Sequence, residues 1–387
     1  MHIGIDTLAA HRMKTGIATY VSGLVDGLLK VDGENRYSLF VSSENAGLFP
    51  EDGPSCQKVF GPRLIDNTKV RVLWEHMFLA RELRRRGVDV LHSPTFVSPA
   101  FCRIPSVITI PDMNFFLYPE KHPPIKRWYF HTSIPMAARR AQKVIAISEN
   151  TRQDVLRMLH LPADKVVTVY CGVNPRFTPV SDEEVLKRIG RKYGLHRPFV
   201  LFLGMIQPMK NLVRLIQAFK QIVQRGFTGV LVLAGPKGWG YVEASSEVQR
   251  QALDSQVIFP GPIPDEELPS LLSAAEIFVY PSLYEGFGLP PLEAMACGVP
   301  VVASNSSSLP EVVGDAGLVV DPLNVGELAA AMWRALTDSA LRGQLRARGF
   351  EQVKRFTWEE AARQTLAVYR ATCASARELV SDGMGRS

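Results

Sequence analysis

The sequence predicts an α/β protein made of two successive parallel-sheet domains. Short runs of β-branched and aromatic residues alternate with stretches of helical apolar spacing, and this alternation starts again near Pro198. The length supports two domains, because 387 residues exceed one ordinary core. With 46% hydrophobic and 21% charged residues, the composition excludes a disordered or fibrous chain.

Each series contains five predicted strands. Those of the first series cover residues 2–6, 38–42, 88–93, 106–110 and 143–148, and those of the second cover 199–204, 229–235, 257–261, 277–282 and 299–304. Helical spacing is clear from Thr19 to Lys30 and from Leu73 to Arg86, and Thr357 is a candidate N-cap for a last helix. Two such series predict two Rossmann-like domains, over residues 1–178 and 190–355.

Composition narrows the cellular setting and the partners. The five cysteines show no C-x-x-C spacing, which predicts reduced thiols and neither a zinc site nor a disulfide framework. No apolar run reaches the roughly 18–20 residues of a membrane helix, and no signal peptide is recognisable, so a cytoplasmic protein is expected. No basic patch is interleaved with stacking aromatics, so nucleic acid is not an expected partner.

Basic residues cluster in the first half of the chain, at 84–86, 126–127 and 139–140. A solvated helix face is the simpler interpretation. The alternative is a surface that meets anionic lipid head groups or a phosphorylated acceptor, which would place the protein peripherally at the inner face of the cell membrane.

The segment from Tyr280 to Ser304 carries the strongest chemical signal. Ser282 ends an apolar strand, a turn with two glycines follows over residues 285–288, and two prolines open a helix that carries Glu293. Glycines let the backbone approach a ligand, and a helix N-terminus behind such a turn favours a diphosphate. Ionised carboxylates accept hydrogen bonds from sugar and ribose hydroxyls. A plain capped turn is the alternative, but it does not require all these residues together.

A second signal lies between Gly204, which ends the first strand of the second series, and Lys210, which is expected at the following helix start. A lysine there can stabilise the charge that develops on a nucleoside diphosphate leaving group. The simpler interpretation is a surface lysine. Aspartates in D-x-D spacing, which can hold a divalent metal ion under a diphosphate, are absent from the sequence, and a metal-independent enzyme is expected.

The Tyr280–Ser304 segment resembles the E-x7-E signature of family 4 glycosyltransferases, and Gly204 to Lys210 resembles their G-x5-K motif. The similarity extends from about Ile3 to Phe356. The resemblance implies the GT-B architecture, with two Rossmann-like domains facing each other across a deep cleft and a final helix, 357–375, that packs back on the first domain. It also implies transfer with retention of the anomeric configuration.

The resemblance further implies specific roles for residues. Glu285 would hold the donor sugar, Glu293 the ribose and Lys210 the diphosphate, while Asp112 would contact the sugar or the acceptor hydroxyl; Glu285, Lys210 and Asp112 form the implied catalytic set. The other implied donor-binding residues are Gly16, Gly204, Gly261, Ile263, Ser282, Gly286, Phe287, Gly288 and Leu289.

The sequence departs from the family pattern at three places. Pro111 stands where relatives commonly have histidine, and Met205 and Met209 stand where they have arginine. The candidate substitutes for the arginine are Arg12, Arg214 and Lys237. His92 fits either strand-end packing or the active cleft.

We therefore expect a hexosyltransferase without a cofactor. It would move mannose from GDP-mannose, or a sugar from a UDP donor, to a glycan or lipid-linked acceptor in polysaccharide or glycoconjugate biosynthesis. The three departures motivate an alternative, a weak or inactive nucleotide-sugar-binding protein on the same scaffold. A sugar phosphorylase or a nucleotide-sugar epimerase is the remaining alternative.

Overall fold

In the computed structural model the chain divides into two units, one of Met1–Gly172 with the chain from Thr357 onward, the other of Val173–Phe356. The structure describes residues 1–10, 16–196 and 198–384, with side chains through residue 375. The first crossing lies at Gly172, earlier than residue 178. The Val173 N–H donates to the Phe356 carbonyl at 3.0 Å, so both crossings of the chain lie side by side.

The first unit contains a seven-stranded parallel sheet with the order β3-β2-β1-β4-β5-β6-β7. Its strands are β1 (His2–Asp6), β2 (Arg36–Val41), β3 (Cys56–Phe60), β4 (Val90–Ser93), β5 (Ser106–Ile110), β6 (Lys143–Ala146) and β7 (Val166–Thr168). Strands β3 and β7, which form the two edges of this sheet, were not predicted from the sequence.

The helices of this unit before the crossing are α1 (Gly16–Val31), α2 (Thr68–Trp74), α3 (Ala80–Arg85), α4 (Asn114–Leu117), α5 (Pro124–Arg140) and α6 (Glu149–Leu159). The single helix predicted from Leu73 to Arg86 is in fact α2 and α3, joined by a π-helical turn at Glu75–Leu79. The start was missed because α2 begins at Thr68, five residues before the predicted start, where the Asn67 side chain caps it by accepting the Lys69 N–H at 3.0 Å.

Apolar side chains from these helices cover the sheet. Leu79 and Leu83, near α3, pack with Phe40, Val59 and Leu91 of the strands. On α5, Ile134 and Ala138 pack in a separate cluster with Ile108 and Val144. These contacts hold the α2–α3 segment and α5 against the sheet, in which β1 leads into residues 7–10 and β5 into residues 111–113.

The second unit contains a six-stranded parallel sheet with the order β10-β9-β8-β11-β12-β13. Its strands are β8 (Phe199–Leu203), β9 (Val230–Ala234), β10 (Val257–Gly261), β11 (Ile277–Tyr280), β12 (Val301–Ser304) and β13 (Gly317–Val320). Its helices are α7 (Glu183–Tyr193), α8 (Leu212–Gln224), α9 (Tyr241–Arg250), α10 (Leu268–Ser273), α11 (Leu289–Ala296), α12 (Leu309–Val313), α13 (Val325–Thr337) and α14 (Ser339–Val353).

The last helix, α15 (Trp358–Met384), belongs to the first unit. Thr357 Oγ1 accepts the Glu360 N–H at 3.2 Å, which confirms the predicted N-cap. Trp358 lies against α1 at Gly23 and Gly27, where an added Cβ would come within 2.1 and 2.4 Å of Trp358 atoms. Only glycine leaves room for the indole, so this groove determines where α15 packs. No helix in the described ranges has the length and apolar character needed to cross a membrane.

Candidate active site

The order of the second sheet determines where a ligand can bind. The chain proceeds from β8 outward to β9 and β10, then returns to β11 on the other side of β8. Adjacent loops leave such a switch point in opposite directions, and the crevice at the carboxyl ends of the strands binds ligands in open α/β sheets. The loops after β8 and β11 carry Lys210 and Glu285, so both predicted residues lie at this crevice.

Lys210 and Glu285 are in direct contact there. Lys210 Nζ lies 2.5 Å from Glu285 Oε1 and donates to the Tyr280 hydroxyl at 2.9 Å. The Tyr280 ring is stacked between Phe202 and Phe278, at centroid distances of 5.7 and 5.9 Å. The lysine is therefore a buried, hydrogen-bonded cation, and the surface-lysine interpretation is wrong.

The polypeptide around Lys210 is held by its neighbour. Lys210 ends a 3-10 turn (Pro208–Lys210) instead of starting a helix, and Asn211 has a left-handed backbone with φ of 59° before α8 begins. The buried Asn211 amide donates to the Pro281 and Pro322 carbonyls at 3.1 and 2.7 Å. Asn211 thus connects the Lys210 turn to the loops after β11 and β13, a role that sequence spacing did not indicate.

The protonation states of this pair follow from burial and charge. Burial by itself lowers the pKa of Lys210, but the Glu285 charge and the hydrogen bonds outweigh it, so the pKa stands above its ordinary value. Burial, followed by the Glu285 charge, raises the pKa of the Tyr280 hydroxyl. Lys210 therefore stays cationic and Tyr280 stays neutral throughout the physiological range, as a site for an anionic ligand requires.

Two serines fix the backbone of the Glu285 turn. The Glu285 N–H donates to Ser307 Oγ at 2.8 Å, and Ser308 Oγ lies within hydrogen-bond distance of the Glu285 and Phe287 carbonyls, at 3.0 and 2.6 Å. These serines follow β12 and were not predicted as site residues. The polar run at 305–308 was the available signal.

Gly288 is required by geometry at the end of this turn. Its φ is +115°, and an added Cβ would lie 2.6 Å from Leu309 Cδ2. The turn leads directly into α11, whose first residue is Leu289 and whose next two residues are Pro290 and Pro291. Because proline has no N–H, the amides left for a ligand at this helix start are those of Gly288 and Leu289.

The remaining predicted residues of the turn differ in what they expose. Phe287 is buried, with its ring 5.7 Å from that of Phe356, so only its backbone is available to a donor. Gly286 is half-buried beside it. Ser282 is fully buried, and its hydroxyl has no hydrogen-bond partner within the described part of the chain.

Glu293 lies one turn into α11 and is 8% exposed. Burial raises the pKa of its carboxyl to about 7; the Arg176 charge opposes this and the Asp265 charge adds to it. Arg176 is itself paired with Asp265 at 3.2 Å, which leaves Glu293 only partly compensated. A buried carboxyl poised near neutrality is suited to accept hydrogen bonds from incoming hydroxyls.

Glycines line the carboxyl ends of three neighbouring strands. Gly204, Gly235 and Gly261 have φ of +155°, +136° and +81° after β8, β9 and at the end of β10. The Gly235 N–H donates to the Gly261 carbonyl at 2.9 Å, and a Cβ on Gly235 would lie 2.1 Å from the Gly204 carbonyl oxygen. Gly235 was not predicted. The half-buried Ile263 follows two residues after β10.

Two predicted residues belong to the first unit. Asp112 is half-buried at the end of β5 and its Oδ1 accepts the Asn114 N–H at 2.9 Å. Gly16 starts α1, and an added Cβ there would meet no atom of the described residues within 4 Å.

Of the two roles considered for His92, strand-end packing and the active cleft, the structure shows packing. Its ring nitrogens lie 2.7 Å from the Tyr369 hydroxyl and 2.8 Å from Thr109 Oγ1, and Tyr20 lies 3.0 Å from the same Thr109 oxygen. Burial lowers the pKa of His92 to about 3. A neutral imidazole with both nitrogens engaged inside the core is structural, and it connects β4 and β5 to α15.

Comparison with known proteins identifies the chain. Residues 187–352 match the family Glycosyl transferases group 1, and residues 14–177 match Glycosyltransferase Family 4. O-antigen chain mannosyltransferase B of Escherichia coli is 37% identical over 282 residues, which are 73% of this chain and 74% of that protein. The chain belongs to the family 4 glycosyltransferases.

Two further comparisons extend this result. Serotype-specific mannosyltransferase WbdA of Escherichia coli is 34% identical over 245 residues, 62% of this chain, and this chain spans only 30% of its length. Sucrose-phosphate synthase from Thermosynechococcus elongatus superposes with a TM-score of 0.79 at 24% identity, covering 97% of this chain and all of that one. The GT-B fold predicted from sequence is confirmed, and the glycosyltransferase acts on a nucleotide-sugar donor and an acceptor.

The structure explains the two methionines in this glycosyltransferase. Met209 is 4% exposed, and its carbonyl accepts the Leu283 N–H at 2.8 Å, so its position is part of the core. Met205 lies beside Gly238, where an added Cβ would come within 3.1 Å of its Cγ. An arginine at position 209 would have to bury its guanidinium, whereas position 205 is half-buried.

The candidate substitutes for the missing arginine are already engaged. Arg214 donates to Asn211 Oδ1 at 3.0 Å, and Lys237 Nζ lies 4.2 Å from the centre of the Tyr241 ring. Arg12 lies outside the described residues. Lys210 is therefore the described cation that directly contacts Glu285.

Two further observations leave this assignment unchanged. Across the described ranges, no group of three or more histidine, cysteine, aspartate or glutamate residues is arranged to hold a metal. An open cavity of about 700 Å³ lies at the opposite, amino end of β8, lined in part by Lys187, Arg191 and Phe199. It contains none of the predicted site residues.

Proposed function

We propose that this glycosyltransferase transfers mannose from GDP-mannose, with retention of configuration, to a growing surface polysaccharide or its lipid-linked precursor. The observation that carries the proposal is the buried Lys210–Glu285 pair, 2.5 Å apart at the switch point of the second sheet. It unites a cation for a diphosphate with an acceptor for sugar hydroxyls. The O-antigen chain mannosyltransferase of Escherichia coli, similar over most of its length, supports the choice of sugar and pathway.

In the proposed reaction, the bond between the sugar C1 and the leaving phosphate oxygen breaks as the acceptor oxygen bonds to C1 on the same face. Lys210 stabilises the charge that builds on the diphosphate. The acceptor proton passes to a phosphate oxygen of the leaving group, so the chain need not supply a base. This agrees with the presence of Pro111, which cannot transfer a proton, beside Asp112.

Binding of the donor is assigned to the surrounding groups. Glu285 accepts hydrogen bonds from sugar hydroxyls, Glu293 accepts them from the ribose, and the Gly288 and Leu289 amides face the phosphates. The two carboxylates are separate in the chain, but the same strand–turn–helix presents both. Gly261 and Ile263, at the end of β10, are assigned to the nucleotide base.

The proposal includes no cofactor and no metal. Lys210 would supply the positive charge that a divalent ion provides in D-x-D enzymes, and the nucleotide sugar is consumed as a substrate. Peripheral membrane contact through the basic first unit would bring the enzyme to a lipid-linked acceptor.

The first test is thermal unfolding of the purified protein with GDP, UDP, GDP-mannose or UDP-glucose, in the presence of a chelator. We expect stabilisation with the two guanine nucleotides only, of roughly 2–3 kcal/mol at about a hundred times the dissociation constant. Stabilisation by uridine nucleotides alone would contradict the donor assignment. Loss of the effect in chelator would contradict metal independence.

The second test follows the chemistry directly. Release of GDP from GDP-mannose is measured for the parent, for Glu285→Gln and for the exposed control Glu243→Gln, and the product anomer is determined by NMR. We expect activity to collapse only in Glu285→Gln. An inverted product, or equal rates in all three proteins, would overturn the mechanism.

A further inference from the structure

Large apolar side chains are exposed on one part of the first unit. Of the thirteen in the described residues, ten fall between residues 60 and 136: Phe60, Leu64, Val70, Leu73, Met77, Phe78, Phe101, Ile125, Trp128 and Met136. Leu73, Trp128 and Ile125 are 61%, 70% and 82% exposed. Single exposed apolar residues need no explanation, but a concentration of this kind marks an interaction surface.

Positive charge is concentrated in the same segments. Residues 60–86 and 121–140 together contain twelve lysines and arginines but only three acidic residues, a net charge of +9, whereas the whole chain carries +6. The rest of the protein is therefore net negative. The basic clusters noted in the sequence coincide with the exposed apolar side chains.

Much of this charge is not neutralised by nearby acids. Arg85 and Arg86 pair with Glu82. Within the described ranges, no acidic side chain pairs with Lys69 or Arg81, although both are exposed. Such cations are free to meet an anionic partner.

The apolar and basic groups share one stripe of the α2–α3 segment. Val70, Leu73, Met77, Arg81 and Arg84 follow one another at intervals of three and four residues and are all exposed. On the opposite side, Leu79 and Leu83 are fully buried against the sheet. The outward stripe is thus apolar at its start and cationic at its end, without a role in the core.

The α2–α3 segment and α5 form one surface. The crossovers from β3 to β4 and from β5 to β6 run in the same direction along the sheet, and right-handed connections place both on the same face. The loop that carries Phe101 joins them, because the Ala100 N–H donates to His76 Nδ1 at 3.1 Å and the Arg140 guanidinium donates to the Ala100 carbonyl.

We propose that this surface, formed by residues 60–86, 98–103 and 121–140 and called here the apolar–basic surface, docks on an anionic lipid bilayer. The apolar side chains would enter the head-group boundary, with Trp128 at a depth that suits an indole, while arginines and lysines meet lipid phosphates. The coincidence of unpaired cations with apolar side chains favours a bilayer over a protein partner, whose interface core would be depleted of lysine. The inference rests on the peripheral membrane contact included in the proposed function and deepens it by assigning the residues and the lipid class, while docking itself requires neither donor nor catalysis.

The test is co-sedimentation of the full chain with phosphatidylcholine vesicles, with and without phosphatidylglycerol. We expect binding only to the anionic vesicles, and weaker binding as salt is added. Arg81→Gln with Arg84→Gln should weaken it roughly 25-fold, at about fivefold for each cation. The matched control, Arg225→Gln with Arg334→Gln, removes the same charge from exposed positions of the second unit and should leave binding unchanged.

Two apolar changes test insertion. Leu73→Ser with Met77→Ser should reduce binding, whereas Val242→Ser with Leu323→Ser, equally exposed on the second unit, should not. Anionic vesicles should shift the tryptophan emission to shorter wavelength in Trp239→Phe but not in Trp128→Phe. All variants are at exposed sites, and unchanged nucleotide-dependent thermal stabilisation confirms their folding separately from docking.

Equal binding to neutral and anionic vesicles, or equal losses in the control variants, would overturn the proposal. The proposal would also be overturned if the protein did not sediment with vesicles and instead self-associated or bound another protein through the same residues. Because the vesicle assay contains no nucleotide, its failure leaves the assigned glycosyl transfer untouched, and loss of donor binding leaves the docking result untouched.

Discussion

Because the Glu293 carboxyl is buried, we expect its ionisation to lower folding stability and to raise nucleotide affinity. Burial raises the pKa of Glu293 from 4.5 to about 7 in the folded protein. Between these values the unfolded chain is ionised while the folded chain keeps the proton, so stability falls as pH rises and levels off above about 7. This difference in pKa corresponds to about 3 kcal/mol of unfolding free energy. Because the Glu293 side chain is only 8% exposed, solvent screening reduces this free energy little.

Glu293→Gln removes this penalty because glutamine is neutral at every pH. We expect the variant to resemble the parent near pH 4.5 but to be more stable by about 3 kcal/mol at pH 8. For a unit of this size, that raises the melting temperature of the second unit by roughly 6–12 °C. The same variant should lose most of its nucleotide affinity, since a ribose hydroxyl would no longer meet a carboxylate.

Scanning calorimetry at both pH values, with and without GDP, is the assay. Glu276→Gln is the control, because Glu276 is 38% exposed and paired with Arg342 at 2.8 Å, and it should give no gain at pH 8. A binding experiment adds the reciprocal effect: nucleotide affinity of the parent should rise as pH increases through about 7, and this slope should vanish in Glu293→Gln. A stability difference that is the same at both pH values, or a loss at pH 8, would refute the reasoning.

Three further changes have definite expectations. Lys210→Met should lower kcat by about 10²–10³-fold through loss of the charge facing the diphosphate, measured as GDP release; a parent-like kcat would exclude the lysine from the chemistry. Gly288→Ala should reduce nucleotide affinity and thermal stability, because its φ of +115° and the 2.6 Å approach to Leu309 disfavour a Cβ, while Gly343→Ala, inside α14, should leave nucleotide affinity unchanged and raise stability by about 0.5–1 kcal/mol. Asn211→Ala should cost about 2–3 kcal/mol by leaving two buried carbonyls unpaired and should lower kcat more than it raises KM; unchanged unfolding would show that the amide does not hold the turn.

Local patterns in the sequence were enough to predict the central strands and the donor-site turn. Strands such as β8 and β9 are continuous apolar runs because both faces of a parallel sheet are covered. The missed strands β3, β7 and β13 are all at sheet edges, where one side faces solvent and the apolar run is short or interrupted. Glycine allows unusual backbone dihedral angles and proline restricts them, so the turn at 285–291 could be predicted without a structure.

Relations between distant residues required the tertiary structure. Lys210 meets Tyr280 and Glu285 although 70 and 75 positions separate them, and only the switch of strand order between β8 and β11 brings their loops together. Burial likewise decided that His92 is structural and that Glu293 titrates near neutrality, since neither is a property of residue type. The sequence by itself thus determined the fold class and the residue types of the donor site, because those depend on local periodicity and backbone preference. The tertiary structure decided which groups are in contact, which are buried and which apolar side chains are exposed, because these properties depend on packing between distant parts of the chain.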